Sequence, residues 1–406
     1  MEVASYYLHQ GSPVIATLLD CSNAFDKCVF SSLFSKLMDR KLPPIVVRVL
    51  ICVYEEQKGC VTWSGVRSSS FSITNGTRQG SVLSPCLFSV YLDDLLKKLR
   101  HMGLGCHIGG MWVGAAGYVD DLILLAPSRT AMQQMLKACD SYADEFNLQF
   151  STDPTPALSK SKCLYMCGHM DPVYPVPLKL GDRDLPWVVH ATHLGHELHQ
   201  MCNMEYDAHV KRAQFIEASV QIQETFGFAK PGEILQAVQT YAGHWYGSML
   251  WDLFGEKADQ IYKSWNTCAK ITWGVPRSTH TFLMDNLLVA QFYTVKQQLV
   301  GRYVNFVRKL LSSTSPEVCI VANMVARCAR STTGRNMLNI ERETNLDPWT
   351  TQSWQVRDEV PRAEVPAMQG WRVQFLGKLL EARMEMDSKC QDLEEINTLI
   401  DSLCSS

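Results

Sequence analysis

Three aspartates stand beside apolar runs, where their carboxylates have the chemistry of metal ligands. Asp20 closes the run VIATLLD, and Asp120 and Asp121 lie between GAAGYV and LILLA. Neighbouring carboxylates repel each other and lose hydration when strands flank them, so something must offset that cost. Hard divalent cations such as Mg²⁺ prefer carboxylate oxygens and often take substrate phosphates as well. The pattern indicates either a metal site or a solvated polar turn.

The catalytic interpretation requires that these carboxylates meet in space. Two divalent ions about 3.5–4 Å apart can activate an attacking hydroxyl and stabilise a leaving oxygen. The apolar run that ends at Asp20 predicts a buried strand, and the runs around Asp120 predict two more. One edge of a sheet can therefore gather the three side chains. A pair of aspartates alone is weak support, because Asp93 and Asp94 form a similar pair on a predicted helix.

Helical spacing and prolines define the other elements of the first half. Phe25, Val29, Leu33 and Leu37 recur at helical spacing, and the prolines at 43 and 44 end that helix. Further helices are predicted from IVVRVLICVYEEQ, SPCLFSVYLDDLLKKLRHMG and TAMQQMLKACDSYADEFN, and short strands from CVTW, FSIT and KCLYMCG. Strands that alternate with helices predict an α/β or α+β domain with helices packed on a sheet. From about residue 206 the pattern is helical.

Bulk composition describes a folded protein of two or three domains. The chain has 406 residues, 46% of them hydrophobic, and a net charge of −3. This balance gives no support for nucleic-acid binding, and only residues 206–310 are mildly basic. Fifteen cysteines without a regular framework indicate reduced thiols in an intracellular protein. We find no signal peptide and no apolar run long enough to span a membrane.

Five motifs in a fixed order carry a family resemblance. They are LLDCSNAFDK, NGTRQGSVLSPCLFSVYLDDLL, GYVDDLILLA, LSKSKCLYM and HLGHEL. The series resembles the successive palm motifs of reverse transcriptases, specifically those of LINE-type non-LTR retrotransposons. AFDK and RQGSVLSPCLF are its most specific parts. The resemblance implies an α+β polymerase palm, an antiparallel sheet with packed helices, and covers roughly residues 14–200.

The resemblance also implies a catalytic site with two Mg²⁺ ions. Asp20, Asp120 and Asp121 match the metal-binding aspartates of the family. Lys160 matches the lysine that protonates departing pyrophosphate, with Lys162 as the alternative and a solvated lysine pair as the competing interpretation. Val119 stands where LINE-type enzymes commonly have alanine, although other reverse transcriptases have valine there.

Substrate contacts are implied in the same way. The implied substrate-binding residues are Phe25, Arg78, Gln79, Gly80, Tyr118 and Gly195. Phe25 matches the bulky residue beneath the incoming sugar, an interpretation compatible with a role as a core aromatic. Arg78, Gln79 and Gly80 match a loop that touches nucleotide and template, or else form an ordinary turn. Gly195 lies in the motif of the primer grip.

Two other clusters have competing interpretations. The histidines at 190, 193, 196 and 199, with Cys202, recur every three residues, which is a spacing that suggests zinc. Gly195 interrupts any helix there, and the primer-grip motif already explains the stretch. The tryptophans at 245, 251, 265 and 273 indicate a helical core more than a surface for stacking bases.

The domain organisation follows from these motifs. We expect a palm with its primer grip over residues 1–200, a helical thumb-like region over 201–345, and a linker with a C-terminal helix over 346–406. The implied partners are an RNA template, a DNA primer and dNTPs, in the nucleus or the cytoplasm. Because only 19 residues precede Asp20, the fingers are expected to be largely missing and polymerisation to be weak. The alternative is an inactive remnant, or a nucleic-acid-binding module, that keeps the palm fold.

Overall fold

The computed structural model describes residues 1–153, 155, 158–169, 172–279 and 295–344. The chain divides into two units, the first made of Met1 and Val3–Cys202 and the second beginning at Asn203 and including Glu2. The predicted linker and C-terminal helix over 346–406 lie outside the described residues. None of the described helices is both long and apolar enough to cross a membrane.

The first unit contains every described strand. The strands are β1 (Val14–Asp20), β2 (Lys58–Gly59), β3 (Thr62–Trp63), β4 (Val66–Arg67), β5 (Phe71–Ser72), β6 (His107–Ile108), β7 (Met111–Trp112), β8 (Ala115–Tyr118), β9 (Asp121–Ala126), β10 (Lys162–Met166), β11 (Leu178–Leu180), β12 (Arg183–Leu185), β13 (His190–His193) and β14 (His196–His199). The first five helices are α1 (Glu2–His9), α2 (Phe30–Asp39), α3 (Pro44–Glu55), α4 (Ser84–His101) and α5 (Arg129–Glu145).

A four-stranded antiparallel sheet in the order β10-β1-β9-β8 organises this unit. The second strand in this order, β1, has a partner on each side, and all its residues except Asp20 are buried. Its continuous apolar run is what burial on both faces requires. In β9 burial alternates, with Leu122, Leu124 and Ala126 inside. The α+β class expected for the first unit is therefore confirmed.

Helices α2, α4 and α5 pack with the sheet to form the hydrophobic core. The helix predicted from Phe25 begins five residues later, at Phe30, so that expectation was wrong at its start. The carbonyl groups of Phe25 and Cys28 accept hydrogen bonds from the amides of Thr77 and Gly76 instead of from the next helical turn. A long-range contact therefore replaces the first turn of that helix.

The second unit is helical in its described part, as the pattern from residue 206 predicted. Its helices are α6 (Glu205–Thr225), α7 (Pro231–Ala237), α8 (Glu256–Thr272), α9 (Val295–Leu311), α10 (Pro316–Ala326) and α11 (Thr332–Thr344). All four tryptophans of the predicted helical core are buried. Trp245 packs against Phe215 at 4.8 Å between ring centroids, and Trp251 Nε1 donates to Asp207 at 2.7 Å. These side chains belong to the core of the unit.

Candidate active site

The register of the central sheet brings the predicted metal ligands to one edge. Asp20, the last residue of β1, lies directly opposite Asp121, the first residue of β9. Directly opposed residues of antiparallel strands have Cβ atoms about 4.5–5.5 Å apart. Asp120 is in the two-residue connection between β8 and β9, next to the pair of Tyr118 and Asp121. All three aspartates therefore stand at the same end of the sheet.

The connection that holds Asp120 is a tight turn with an unusual backbone. Val119 has φ of +58°, in the left-handed region. A β-branched residue seldom adopts that conformation, and such backbones cost on the order of 1–3 kcal/mol. The β8–β9 ladder on either side holds Val119 in this conformation. Strain of this kind is found where a turn must aim a functional side chain.

The electrostatics of the edge oppose ionisation of Asp20. Burial raises the pKa of its carboxyl, Lys160 opposes this shift, and the charges of Asp120 and Asp121 raise the pKa further. The neighbouring Cys21 thiol has its pKa raised to about 12 by burial and by the same three aspartates. The thiol is therefore neutral at physiological pH and adds no negative charge.

The donor set fits a hard divalent cation. Asp20 Oδ2 is buried and accepts no hydrogen bond from the described residues. Lys160 Nζ lies 3.7 Å from that oxygen, and 71% of the lysine side chain is exposed. Among the described residues, no three His, Cys, Asp or Glu side chains already form a coordination shell. The three carboxylates share an edge, and rotation of their side chains is what a bound cation would require.

The segment before β10 delivers Lys160 to Asp20. Ser161 Oγ accepts from the Asp20 amide at 3.3 Å. The Ser151 amide donates to the Asp20 carbonyl at 2.7 Å, so the backbone of Asp20 is held from both sides. Lys162 is the first residue of β10 and lies opposite Leu18, two residues farther along the chain. The geometry therefore favours Lys160 over Lys162, and Ser161 is a supporting residue that the sequence did not reveal.

Phe25 and the Arg78–Gly80 loop are parts of one packed region. The Phe25 ring is half-buried and lies 5.5 Å from the Phe88 ring, centroid to centroid. The Phe25 carbonyl accepts from the Thr77 amide at 2.6 Å. Gln79 Nε2 lies 3.3 Å from Asp26 Oδ2, within hydrogen-bond distance. The residues after Asp20 are thus joined to the loop.

Gly76 makes this junction possible. Its φ is +92°, and a Cβ added there would lie 2.9 Å from Asp26 Cα, a backbone atom that cannot move aside cheaply. Gly80 also has a positive φ, +78°, but a Cβ there would meet nothing within 4 Å. Arg78 is exposed, and its carbonyl accepts from Ser84 Oγ at 2.5 Å. No local pattern around Gly76 indicates this close approach, which only the fold reveals.

The predicted primer-grip motif is a β-hairpin. Leu194 and Gly195 connect β13 to β14 with φ of +49° and +76°, as in the type I′ turns that suit two-residue hairpins. The hairpin is anchored to β10, because the Val188 amide donates to the Cys163 carbonyl at 2.8 Å. Burial lowers the pKa of His193, and the charge of Asp121 opposes that shift. His193 is therefore close enough to the three aspartates for the charge of Asp121 to act on its imidazole.

The strand geometry also decides between the interpretations of the histidines. His193 pairs with His196 across the hairpin, and His190 pairs with His199. Successive side chains of a strand point to opposite faces, so a spacing of three residues separates the two pairs. The geometry gives the zinc interpretation no support.

Known proteins are similar to this chain over most of its first unit. A family model described as reverse transcriptase (RNA-dependent DNA polymerase) matches residues 3–180. The Pol polyprotein from the type-2 retrotransposable element R2DM of Drosophila melanogaster is 30% identical over 135 residues, which are 33% of this chain and 13% of that protein. The polyprotein from the type-1 element R2 of Nasonia vitripennis is 30% identical over 132 residues, or 32% of this chain and 13% of that one.

A third relative and one solved structure complete the comparison. The RNA-directed DNA polymerase from the mobile element jockey of Drosophila funebris is 30% identical over 145 residues, covering 36% of this chain and 15% of that protein. A telomerase structure from Candida albicans covers 79% of this chain and 51% of its own, at 10% identity and a TM-score of 0.37, too low to support an argument. The chain thus spans only a small part of these relatives' length. Residues 3–180 thus match the reverse transcriptase family and are homologous to the RNA-directed DNA polymerases of non-LTR retrotransposons.

Proposed function

We propose that this chain adds deoxynucleotides to a primer 3′-hydroxyl on an RNA template. The observation that carries the proposal is the register of the palm sheet, which sets Asp20 opposite Asp121 with Asp120 in the adjoining turn. The family generally uses divalent metal ions.

The three aspartates would hold two Mg²⁺ ions. Bound there, the ions would activate the primer hydroxyl and stabilise the leaving oxygen of pyrophosphate. The buried Asp20 Oδ2 accepts no hydrogen bond from the described residues, so this oxygen is available as a ligand for such an ion. Lys160, with its exposed ammonium near Asp20, is positioned to hold the proton that departing pyrophosphate takes up. In our proposal these four residues are the catalytic set.

The remaining site residues would position substrates. Phe25 is held by packing and by its carbonyl hydrogen bond, as a wall against a ribose 2′-hydroxyl must be. Arg78, Gln79 and Gly80 would contact nucleotide and template, since this loop is exposed and open. Tyr118 is 65% exposed at the mouth of the aspartate turn, where a substrate can reach it.

The last positioning element and the rest of the chain complete the proposed division of labour. Gly195 would let the β13–β14 hairpin approach the primer backbone closely, because glycine has no side chain. Residues 1–200 would act as the palm with its primer grip. The helical region over 201–345 would act as a thumb that holds the duplex of RNA template and DNA primer.

Primer extension by residues 1–406 with an RNA template, a DNA primer, dNTPs and Mg²⁺ tests the proposal. Asp120→Ala should reduce extension by at least about a hundredfold, roughly 2.7 kcal/mol of barrier. The matched control is Asp93→Ala, which also removes one carboxylate from an aspartate pair of the same unit and should retain activity. Thermal melting checks that both variants fold.

The outcome separates the two hypotheses about the chain. Equal loss in both variants would contradict a catalytic role for Asp120. A folded wild-type chain that binds primer–template but never extends it would favour the inactive, nucleic-acid-binding alternative.

A further inference from the structure

A two-stranded ribbon over residues 57–73 has no role in the proposed catalytic set. Strand β2 pairs with β5, and β3 pairs with β4. Ser68 joins the two segments, because its Oγ accepts from the Val61 amide and its own amide donates to the Val61 carbonyl, both at 2.9 Å. Ser64 and Gly65 turn the chain at the tip with φ of +47° and +81°. Residues 57–73 therefore form one continuous ribbon.

The ribbon exposes apolar side chains that are not packed into the core. Every residue from 60 to 72 is exposed. Trp63 is 80% exposed and its cross-strand partner Val66 is 72% exposed, at the tip, while Phe71 is 52% exposed nearer the base. Two-stranded ribbons are marginally stable alone in water, and clustered exposed apolar groups mark interaction sites. The ribbon has the features of a contact surface for another molecule.

The charge of the ribbon indicates which class of partner it can bind. No Asp or Glu occurs from residue 57 to residue 92, although the whole chain has a net charge of −3. Lys58 and Arg67 are the charged groups of the ribbon, which also carries six hydroxyl side chains at positions 62, 64, 68, 69, 70 and 72. Basic and hydroxyl groups are the usual donors to phosphate oxygens. An anionic polymer therefore fits this surface.

The exposed indole narrows the partner further. Successive bases of a single strand stack on aromatic side chains, whereas the bases inside a duplex are already stacked. Strand alternation puts Trp63 and Val66 on one face of the tip and Thr62 and Arg67 on the other. The tip thus offers a surface for a base together with a cation for a phosphate.

We propose that the ribbon over residues 57–73 binds single-stranded nucleic acid, with Trp63 stacking on an unpaired base and Arg67 contacting phosphate. This inference rests on the proposed function, under which the unpaired strand is the template. The same acid-free stretch continues into the Arg78–Gly80 loop, so template contacts would run from one to the other.

Crosslinking locates the contact without requiring catalysis. Residues 1–406 are irradiated with single-stranded RNA that contains 4-thiouridine, with no dNTP present, and are then digested with trypsin. Cleavage after Lys58 and Arg67 releases the tip as one peptide, Gly59–Arg67. We expect crosslinks on that peptide in the wild type and in Asp120→Ala alike. Crosslinks confined to other peptides would overturn the inference.

Binding measured by fluorescence anisotropy tests the role of the indole. Trp63→Ala should weaken binding of the single strand about tenfold, since stacking of one base contributes on the order of that factor. Trp63→Tyr, which keeps a ring, and Val66→Ala, the matched apolar control, should each stay within about threefold of wild type on the same scale. A blunt duplex should bind Trp63→Ala and wild type alike.

The outcomes separate this inference from the proposed function. Equal affinity of wild type and Trp63→Ala for the single strand would overturn the ribbon contact even if primer extension succeeds. Self-association that is lost in Trp63→Ala, with unchanged RNA binding, would make the ribbon a protein contact and also overturn it. Ribbon crosslinks in a chain that never extends a primer would sustain this inference while the catalytic proposal fails.

Discussion

Two pairs of adjacent aspartates in the first unit have opposite environments. Asp93 and Asp94 lie on α4, where Arg40 Nη2 is 2.6 Å from Asp93 Oδ2 and Lys36 Nζ is 2.5 Å from Asp94 Oδ2. Burial alone would raise the pKa of Asp94, but the hydrogen bond and charge of Lys36, with further help from basic neighbours, lower it. At Asp20, which lies opposite Asp121, the balance is reversed, because burial and the charges of Asp120 and Asp121 outweigh Lys160 and raise the pKa of its carboxyl.

Among the described residues, neither Asp120 nor Asp121 has an ion pair like those of the helical pair. Lys160 is mostly exposed and stands 3.7 Å from Asp20, the carboxylate whose pKa the pair helps to raise. No Lys or Arg occurs from residue 101 to residue 128. Lys36, in contrast, is buried, and its Nζ also donates to the Tyr142 hydroxyl at 3.1 Å and lies 3.9 Å from the centre of the Phe146 ring. One pair is held in ion pairs by Lys36 and Arg40, whereas the other stands beside Asp20 and opposes the ionisation of its carboxyl.

The largest expected effect is on activity. Asp121→Asn should reduce primer extension by at least about a thousandfold, close to 4 kcal/mol of barrier, because a metal ligand is lost. Asp94→Asn should stay within about threefold of wild type at a temperature where both variants are folded. Steady-state extension rates with an RNA template measure both. Similar losses in the two variants would remove the functional distinction between the pairs.

The lysine beside Asp20 should also contribute to activity. Lys160→Ala should lower kcat about a hundredfold, within the usual range for a general acid. Lys162→Ala is the matched control, because Lys162 lies in β10 opposite Leu18. Equal kcat values in Lys160→Ala and Lys162→Ala would contradict a catalytic role for Lys160.

The free energy of unfolding should depend on the pair Asp93 and Asp94 more than on the pair Asp120 and Asp121. Asp94→Asn should lower the free energy of unfolding by about 2 kcal/mol, because the buried Lys36 ammonium loses its carboxylate. Asp121→Asn should leave that free energy unchanged or raise it, since it removes one of three mutually repelling charges. Urea denaturation followed by circular dichroism measures both. A stability loss in Asp121→Asn as large as that in Asp94→Asn would mean that the second pair is also structural.

Local pattern predicted strands β1, β8, β9 and β10 and the place of the three aspartates at their ends. A buried strand needs a continuous apolar run, and VIATLLD supplies one that ends on Asp20. Contacts distant in sequence decided the rest. The first turn of the helix expected from Phe25 gives way to hydrogen bonds from residues 76 and 77, and Lys36 reaches Asp94 from another helix. Single-sequence spacing contains no information about such partners.

The smallest effect is in the pH dependence of stability, where the two pairs should differ in sign. The pKa of Asp20 is raised above its ordinary 3.8, so the folded chain holds that proton more tightly than the unfolded chain. The resulting stability is complete below pH 3.8 and is lost as pH rises through the folded pKa. The pKa of Asp94 is lowered, so its contribution is present above pH 3.8 and is lost as pH falls through the folded value.

Asn variants isolate the two contributions, because an amide does not titrate. The free energy of unfolding of Asp20→Asn minus that of wild type should grow as pH rises from 3 toward 7, about the range over which an acid with a raised pKa ionises. The same difference for Asp94→Asn should be negative at neutral pH and shrink toward zero in acid. Mg²⁺ should then narrow the difference for Asp20→Asn at pH 7, because a ligand that binds only the folded wild-type site stabilises it. Differences that vary with pH in the same direction for both variants would show that the carboxylate edge is compensated like the helical pair, and the metal assignment would lose its electrostatic basis.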